Sequence, residues 1–483
     1  MSARPPRIAR NVLDLVVNRF SVPFFSLALL VVIARQSSEL LGWYAVVNVY
    51  FFALQTLPFL GLTPWIMREA ARHPQDAATI FGSSVALAIG ASAVLALLLP
   101  LVLRFAGYPP VVDAAIWIAA ATMVPFCVAY AAELMFVTTH DTAIISVAPT
   151  LESLLRVAAS LVALRLGYGL PALFWIAFAG RVLTAAVYWR ALRRGVFRQM
   201  TIRCSLPLVG AMLRTSPAFV VNTAALLAVQ RAAFIVMSWY IAPEAIADFT
   251  IAYRPMEIGL IAITAFVGAV YPQLSAADAL DTPDAFQLLS SRITRLMLAA
   301  SAAAAAIGIT MSGTFVSLLF PHQPGAAPLL HVLMGALVFN AIRVVTSSVF
   351  LAAGRVVADS VTLGAGAVLQ CALLLWLVPT YGAWGAAAAI LIESVAQSMV
   401  RAAVLSGAYR HRRRVATLGA LSLALLGVAI AGAAVVSAPA AAVLGTLLTA
   451  GYAYAAIRLG AVDRTDMAFL RGRRATQTDM APA

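Results

Sequence analysis

Ionisable side chains recur inside long apolar segments of this sequence. Six arginines hold such positions: Arg19, Arg156, Arg181, Arg231, Arg254 and Arg343. Four glutamates do the same: Glu133, Glu152, Glu257 and Glu393. A guanidinium stays charged at any cellular pH and presents a planar fork of donors that suits phosphate oxygens, whereas an intramembrane carboxylate suits the relay of a proton or a cation. These residue types indicate the binding of an anionic group and the coupling of that binding to an ion.

Two pairs of opposite charge lie close enough in sequence to neutralise each other. Glu152 and Arg156 are four residues apart with the acid first, which is the favourable orientation for an ion pair within a helix. Arg254 and Glu257 are three residues apart in another segment. An ion pair of this kind can be purely structural, so binding and stability are both open as roles for these four residues.

The other charged residues differ in their predicted depth. Arg19 and Arg343 fall near the ends of their segments, where a long side chain can reach the lipid headgroups, and Glu133 is shallow enough to favour a packing role. Arg181 and Arg231 fall near the middle of theirs, without an acid within four residues, and a charge at that depth costs about 2.5–3.5 kcal/mol on insertion scales. We therefore expect Arg181 and Arg231 to line a cavity and bind an anionic substrate. The further candidates for substrate binding are Arg254, Arg156, Arg19 and Arg343, and the candidates for ion coupling are Glu257 and Glu393.

Long apolar helices must position these charges. The 483 residues are 63% hydrophobic and 11% charged, against about 45–50% and about 25% in soluble domains, and the mean hydropathy is +0.94. This composition excludes an ordinary soluble enzyme and predicts an all-α polytopic membrane protein. At about 20 residues per span, Pro, Gly and Arg punctuation predicts about fourteen transmembrane helices. Their predicted bounds are 14–35, 43–64, 78–103, 113–136, 143–165, 170–190, 214–241, 248–271, 295–319, 327–351, 357–378, 383–407, 416–436 and 440–459.

Arginine supplies all 33 basic residues, and its distribution predicts the orientation of the chain. Basic loops stay in the cytoplasm, and most arginines outside the apolar segments fall in alternate loops and in the two terminal stretches. Both termini are therefore predicted to be cytoplasmic. The net charge of +14 follows from this topology and from contact with anionic headgroups, so it does not indicate nucleic acid.

The sequence lacks the spacing patterns of catalytic and metal sites. Cys127, Cys204 and Cys371 lie far apart and form no disulfide or metal-binding pattern. There is no His-Glu-x-x-His pair, no Gly-rich phosphate loop and no serine nucleophile elbow. We expect no metal, no cofactor and no enzymatic activity.

Two sets of six segments carry matching residues at a nearly constant offset of about 210 positions. Residues 59–61 (FLG) match 266–268 (FVG), and the turn at 166–170 (LGYGL) matches the turn at 379–383 (PTYGA). The first segment of each set begins on the same side, so the halves are predicted to be parallel repeats, an arrangement in which transporters place the substrate between the halves. The predicted units are residues 1–213 and 214–408 for two six-helix bundles, 409–460 for two additional helices and 461–483 for a cytoplasmic tail.

Four stretches of the sequence resemble bacterial polysaccharide flippases. Residues 34–44 (ARQSSELLGWY) carry the Arg and the Gly-aromatic pair that flank a short polar loop after the first helix of that family. Gly61-Leu62 followed by Arg68, residues 167–170 (GYGL) and residues 381–387 (YGAWGAA) are similar as well. The resemblance extends over essentially the whole chain and implies the multidrug, oligosaccharidyl-lipid and polysaccharide exporter superfamily. It implies two six-helix bundles forming a V around a central cavity, followed by two extra helices.

The resemblance also implies a function. The polysaccharide branch of this superfamily flips polyprenyl-diphosphate-linked sugars, and the positive surplus among the intramembrane charges suits that anionic lipid-linked glycan. The expectation is a non-enzymatic flippase of the bacterial inner membrane that serves cell-surface polysaccharide biosynthesis by alternating access. Its partners would be the substrate, membrane lipids and other proteins of polysaccharide assembly. The alternatives are a peptidoglycan-precursor flippase or a drug or metabolite exporter of the same fold. A glycan polymerase or ligase is disfavoured because the connections predicted to be external are short and nearly uncharged.

Overall fold

The computed structural model describes residues 23–139, 143–195, 197–198, 200–279, 283–405, 412–433 and 438–462. Within these ranges all regular elements are helical, which agrees with the predicted all-α class. Arg19, the start of the first predicted helix and the tail beyond residue 462 lie outside the described residues.

The chain forms two compact units, Met1–Ala247 and Asp248–Ala483. The described helices of the first unit are α1 Pro23–Ala34, α2 Ser38–Thr56, α3 Thr63–Arg72, α4 Ala77–Ala106, α5 Pro110–Ala121, α6 Met123–Thr138, α7 Ala143–Arg165, α8 Leu170–Arg194 and α9 Leu206–Tyr240. Helix α10, Pro243–Ala279, begins at the end of this unit. The described helices that follow are α11 Pro283–Thr310, α12 Ser312–Leu319, α13 Ala326–Ala352, α14 Val356–Val404, α15 Arg412–Ala433 and α16 Ala438–Arg458. The predicted domain boundary at 213/214 remains a prediction.

The number of predicted spans is confirmed. In the described ranges, 12 helical segments are long and apolar enough to cross a membrane, and α1 is a shorter apolar helix at the position of the first predicted span. Helix α14 has 49 residues and covers two of the predicted spans. It counts as two helices because Gly382, with non-helical dihedral angles (φ 58°, ψ −133°), breaks it between them. The described segments therefore account for the fourteen helices.

The helix predicted over 113–136 is two helices, α5 and α6, separated at Thr122. Pro125 explains the break, since proline has no N–H and its ring clashes with the carbonyl four residues earlier, at Ala121. Other predicted helices are longer in the structure than in the sequence pattern. Helix α10, for example, extends from Pro243 to Ala279 rather than from 248 to 271.

The two matched FLG and FVG segments fold differently. Residues 57–59 form a 3-10 turn at the end of α2, and Leu60 (φ 50°) and Gly61 (φ 71°) follow it with left-handed dihedral angles. A Cβ atom at Gly61 would press on the backbone carbonyl of Phe219 in α9, so the close approach of α9 requires glycine there. Gly268 instead lies inside α10, where a Cβ would meet open space.

Helix α8 is the centre of packing in the first unit, where it contacts α5, α6 and α7. Helix α2 packs against α5, and α9 packs against α2 and α4. In the second unit, α13 packs against α11 and α14, while α15 and α16 both pack against α11. A hydrogen bond of 2.8 Å between Ser422 and Tyr452 joins the last two helices. The two additional helices predicted after the repeat therefore attach to α11.

Large apolar side chains cover the outer faces of several helices. On α4, Val94, Leu97, Leu101 and Phe105 are each more than half exposed, and Phe105 reaches 83%. Exposure of this kind is unfavourable in water and favourable against lipid chains. These faces are therefore the lipid-contacting surface of a multi-pass membrane protein.

Candidate functional site

Glu152 on α7 is the acidic centre of a charged cluster in the first unit. Its Oε2 atom accepts hydrogen bonds from Arg181 Nη1 at 3.2 Å and from Thr184 Oγ1 at 2.7 Å, both on α8. Gly180 makes room for this contact, because a Cβ there would lie 3.0 Å from the Cγ of Glu152. The carboxylate is 5% exposed, so the two bonds satisfy a buried charge and tie α7 to α8.

The predicted ion pair between Glu152 and Arg156 does not form. Glu152 bonds across the helix interface to Arg181 instead, and Arg156 lies near enough to Arg181 for the two like charges to interact. The Nε atom of Arg156 is buried without a hydrogen-bond partner. Sequence spacing could not reveal this exchange of partners, because Glu152 and Arg181 are 29 residues apart.

Arg181 also contacts aromatic rings on two other helices. Its guanidinium carbon lies 5.4 Å from the ring centre of Phe126 on α6 and 6.0 Å from that of Phe51 on α2. Both distances are within the range of cation–π attraction. The Arg181 side chain as a whole is 23% exposed, while its Nε atom is buried without a hydrogen-bond partner.

Arg231 on α9 approaches the next ring along α2. Its guanidinium carbon lies 4.6 Å from the ring centre of Phe52. Since Phe51 and Phe52 are consecutive residues, Arg181 and Arg231 contact neighbouring faces of α2. Together with Arg156, they place three guanidinium groups within the spans of the first unit.

The second unit contains the predicted pair between Arg254 and Glu257. Arg254 Nη1 lies 2.6 Å from Glu257 Oε2, with both side chains mostly buried, and the two residues are one helical turn apart on α10. This pair neutralises charge within α10 itself. Their use in binding or in ion coupling stays a prediction.

A buried polar network joins α13 to the second half of α14. Arg343 Nε donates to Asn340 Oδ1 at 3.0 Å, and Asn340 Nδ2 donates to Ser394 Oγ at 2.7 Å. Glu393 is 1% exposed and accepts a hydrogen bond of 2.6 Å from Gln397 Nε2. Arg343 is itself buried, and its guanidinium bonds to Asn340 inside the unit, although its position also allowed a path to the headgroups.

The same network continues to the first half of α14. Arg401 Nε donates to Gln397 Oε1 at 3.2 Å, and its Nη1 donates to Asp359 Oδ1 at 2.6 Å. Ser347 on α13 donates to the other carboxylate oxygen of Asp359 at 2.9 Å. Arg401 is 1% exposed, so this ion pair is shielded from solvent.

Asp359 and Arg401 were missed by the sequence analysis. Both lie close to the ends of their predicted spans, 357–378 and 383–407, where a charge has an obvious route to the headgroups. A useful signal was present. The acid lies near the start of one predicted helix and the base near the end of the next, and these two ends lie on the same side of the membrane if the helices are antiparallel. Asn340 and Gln397 carried no comparable signal.

Comparison with known proteins identifies the family. Residues 8–277, more than half of the chain, match the family model for polysaccharide biosynthesis proteins. The chain belongs to this family. No curated protein matches it significantly in sequence.

Several solved structures, all of transporters, share the fold of this chain. The lipid II flippase MurJ in an inward closed conformation is 12% identical, with a TM-score of 0.69 over 92% of this chain and 98% of that chain. An inward-facing multidrug resistance MATE transporter of the MOP superfamily is 18% identical, with a TM-score of 0.65 over 84% and 98%. A MOP superfamily transporter from Pyrococcus furiosus, described as having a binding pocket of reversed polarity, is 17% identical, with a TM-score of 0.59 over 85% and 96%. The chain therefore has the fold that these transporters share, as the resemblance implied.

The intramembrane arginines of this family member are suited to binding an anion. Phosphate oxygens suit the three guanidinium groups of the first unit. Phenyl rings lie against two of these groups, those of Arg181 and Arg231. In the part of the chain that the structure describes, no group of three or more His, Cys, Asp or Glu side chains is arranged to hold a metal ion. Glu393 and Glu257 are carboxylates within the spans of the second unit, as a coupling site requires.

Proposed function

We propose that this protein is a flippase that moves a polyprenyl-diphosphate-linked oligosaccharide across the bacterial cytoplasmic membrane by alternating access. The observation that carries the proposal is the group of three intramembrane arginines, Arg156, Arg181 and Arg231, on three helices of the first unit. A charge within the bilayer is costly and marks a substrate pathway. Membership of the polysaccharide biosynthesis family supports a glycan as the cargo.

The arrangement around Arg181 suits reversible binding of a phosphate group. Glu152 binds one edge of the guanidinium at 3.2 Å, and the planar group has five N–H donors in all. A diphosphate can therefore bind while the Glu152 contact persists, so the protein is not left with an unpaired buried carboxylate. No residue has to change its protonation state for this step, because arginine stays charged.

Glu393 is the stronger candidate for coupling transport to an ion gradient. Glu257 already has an arginine of its own helix at 2.6 Å, so its charge is paired locally. Glu393 is buried, and its shortest hydrogen bond comes from the neutral amide of Gln397. Protonation of Glu393 would alter a network that reaches α13 and both halves of α14.

A transport assay with a defined substrate tests the proposal. Purified full-length protein is reconstituted into liposomes that contain a fluorescent polyprenyl-diphosphate oligosaccharide, and a membrane-impermeant quencher reports the fraction in the outer leaflet. We expect wild-type protein to make the inner pool accessible, and Arg231→Ala to slow this at least tenfold. Arg104→Ala is the matched control, because Arg104 is exposed at the end of α4, and it should transport normally.

The same liposomes compare the alternatives. Movement of a peptidoglycan precursor but not of the oligosaccharide lipid would replace the proposed substrate. Export of cationic drugs without movement of either lipid would contradict a flippase. Release of a cleaved or extended glycan would identify an enzyme such as a ligase or polymerase.

A further inference from the structure

An apolar cleft of about 550 Å³ lies in the first unit, between the end of α2, the middle of α4 and the first half of α9. Its walls are hydrocarbon side chains apart from Thr223 on α9. The volume falls within the usual range of ligand sites, about 300–1,000 Å³. The cleft is therefore large enough to hold a ligand, and its lining contains no charged group that would bind a polar ligand.

Small residues of α4 and a strained turn after α2 create this cleft. Ala86, Gly90 and Ala91 form the α4 wall, and a Cβ at Gly90 would meet open space rather than another residue. Leu60 lines the opposite side with a left-handed backbone (φ 50°), which a leucine rarely adopts. A Cβ at the neighbouring Gly61 would overlap Thr223 and the carbonyl of Phe219, so this turn packs tightly against α9. Residues in such sparsely populated conformations cluster at functional sites.

The surroundings identify hydrocarbon as the occupant. The α4 wall belongs to a membrane-spanning segment, and Val94 lines the cleft while being 56% exposed on the lipid-facing side of α4. An apolar cavity does not retain water, since water needs polar partners. A cleft open towards the bilayer is filled instead by a lipid chain.

Charge complementarity indicates which lipid this is. Arg231 follows Thr223 by eight residues on α9, which is about 12 Å along the helix. On α2, Phe52 stacks on Arg231 and precedes the lining residue Leu57 by five residues. The contact between α2 and α9 therefore places a guanidinium about 12 Å along α9 from the cleft.

We infer that this cleft binds the phosphate-proximal part of the polyprenyl chain of the transported lipid while Arg231 binds its phosphate. The inference rests on the proposed function for the identity of the lipid. It assigns to α2, α4 and α9 a site for the lipid chain.

Photo-crosslinking tests the site without measuring transport. Full-length protein in nanodiscs is irradiated with a polyprenyl monophosphate that carries a diazirine in its second isoprene unit, and the labelled peptides are mapped by mass spectrometry. We expect labelling within residues 86–95 and 209–223, competed at least tenfold by unlabelled polyprenyl monophosphate and not by phosphatidylglycerol. Gly90→Leu fills the cleft and should reduce the labelling at least fivefold, whereas Gly90→Ala should reduce it less than twofold.

Gly427→Leu is the matched control. Gly427 is an exposed glycine inside α15 with open space at its Cβ position, so the same substitution adds the same side chain away from the cleft. Labelling confined to other helices, equal competition by phosphatidylglycerol, or unchanged labelling in folded Gly90→Leu protein would each overturn the inference. If the cleft is labelled as expected but wild-type protein moves no oligosaccharide lipid, the site stands and the proposed function fails.

Discussion

At the scale of single residues, the partners of the buried charges decide what each charge can do. Glu152 is held by Arg181 and Thr184, and Arg181 in turn contacts Phe51 and Phe126. Removing one member of a buried ion pair leaves an uncompensated charge, which costs about 3–5 kcal/mol, whereas removing both charges is often nearly neutral. Arg181 therefore contributes to stability as well as to the proposed binding, and the two roles need separate measurements.

Arg181→Ala should lower the thermal stability and the membrane abundance of the protein, because Glu152 loses its charged partner. The double variant Arg181→Ala/Glu152→Gln should recover most of the stability and still fail to transport, since the guanidinium is missing. Fluorescence-detected gel filtration of heated, detergent-solubilised protein gives the first quantity, and the liposome assay gives the second.

Arg165→Ala is the control for this cycle, because Arg165 is exposed at the end of α7, and it should match wild type in both assays. Wild-type stability in Arg181→Ala would contradict a structural contribution of the ion pair. Transport by the stable double variant would exclude Arg181 from substrate binding.

At the scale of helices, two glycines determine the shape of α14. Gly382 forms the turn that divides the helix, and Gly366 allows its two halves to pack closely. Gly382 changes the chain direction with dihedral angles that residues with a Cβ rarely adopt. Asp359 and Arg401 then bond across the two halves of the helix, although they are 42 residues apart. Gly366 lets the halves approach, because a Cβ there would overlap the Gln397 side chain and press on Glu393.

Gly364 and Gly366, on either side of Ala365, separate the effect of packing from that of helix propensity. Gly366→Ala should destabilise the protein by about 1–3 kcal/mol through overpacking. Gly364→Ala should be neutral or stabilising by up to about 1 kcal/mol, because its Cβ meets open space and alanine favours the helix. Melting curves in detergent compare the two, and equal effects would show that the network does not constrain this contact.

The effects of removing Asp359 and Arg401, which form an ion pair, on the free energy of unfolding should be coupled. Arg401→Leu alone should cost about 3–5 kcal/mol, since Asp359 stays buried without its cation. Asp359→Leu/Arg401→Leu should be much closer to wild type. If the double variant is as unstable as the sum of the single variants, the ion pair is not the source of the effect.

At the scale of the whole molecule, the alternation of arginine-rich and arginine-poor loops predicts the orientation in the membrane. The loop between α8 and α9 carries Arg198 and Arg203 and is predicted to be cytoplasmic. The loop between α12 and α13 contains His322 and no arginine, and is predicted to be external. The orientation remains a prediction that follows from charge alone.

Cysteine labelling in intact cells measures this orientation. Cys204 is native and exposed in the α8–α9 loop, so a membrane-impermeant maleimide should label it only after the cells are permeabilised. His322→Cys, in a Cys204→Ser background, should be labelled in intact cells. The reverse pattern would place both termini outside.

The sequence by itself determined the class, the number of helices and the presence of unusual intramembrane charges. These properties follow from composition and local pattern, because each span must be apolar over about 20 residues wherever its neighbours lie. The pair Arg254 and Glu257 was predictable for the same reason, since one helical turn brings the two residues together.

Only the tertiary structure decided which charges pair between helices and where an apolar cleft opens. Glu152 pairs with Arg181 on the next helix rather than with Arg156 four residues away, and Asp359 in the first half of α14 pairs with Arg401 in the second half. The cleft depends on a glycine on α4 that faces open space and on a left-handed leucine after α2. Such features arise from the distances between packed helices, and those distances depend on side-chain volumes that are far apart in sequence.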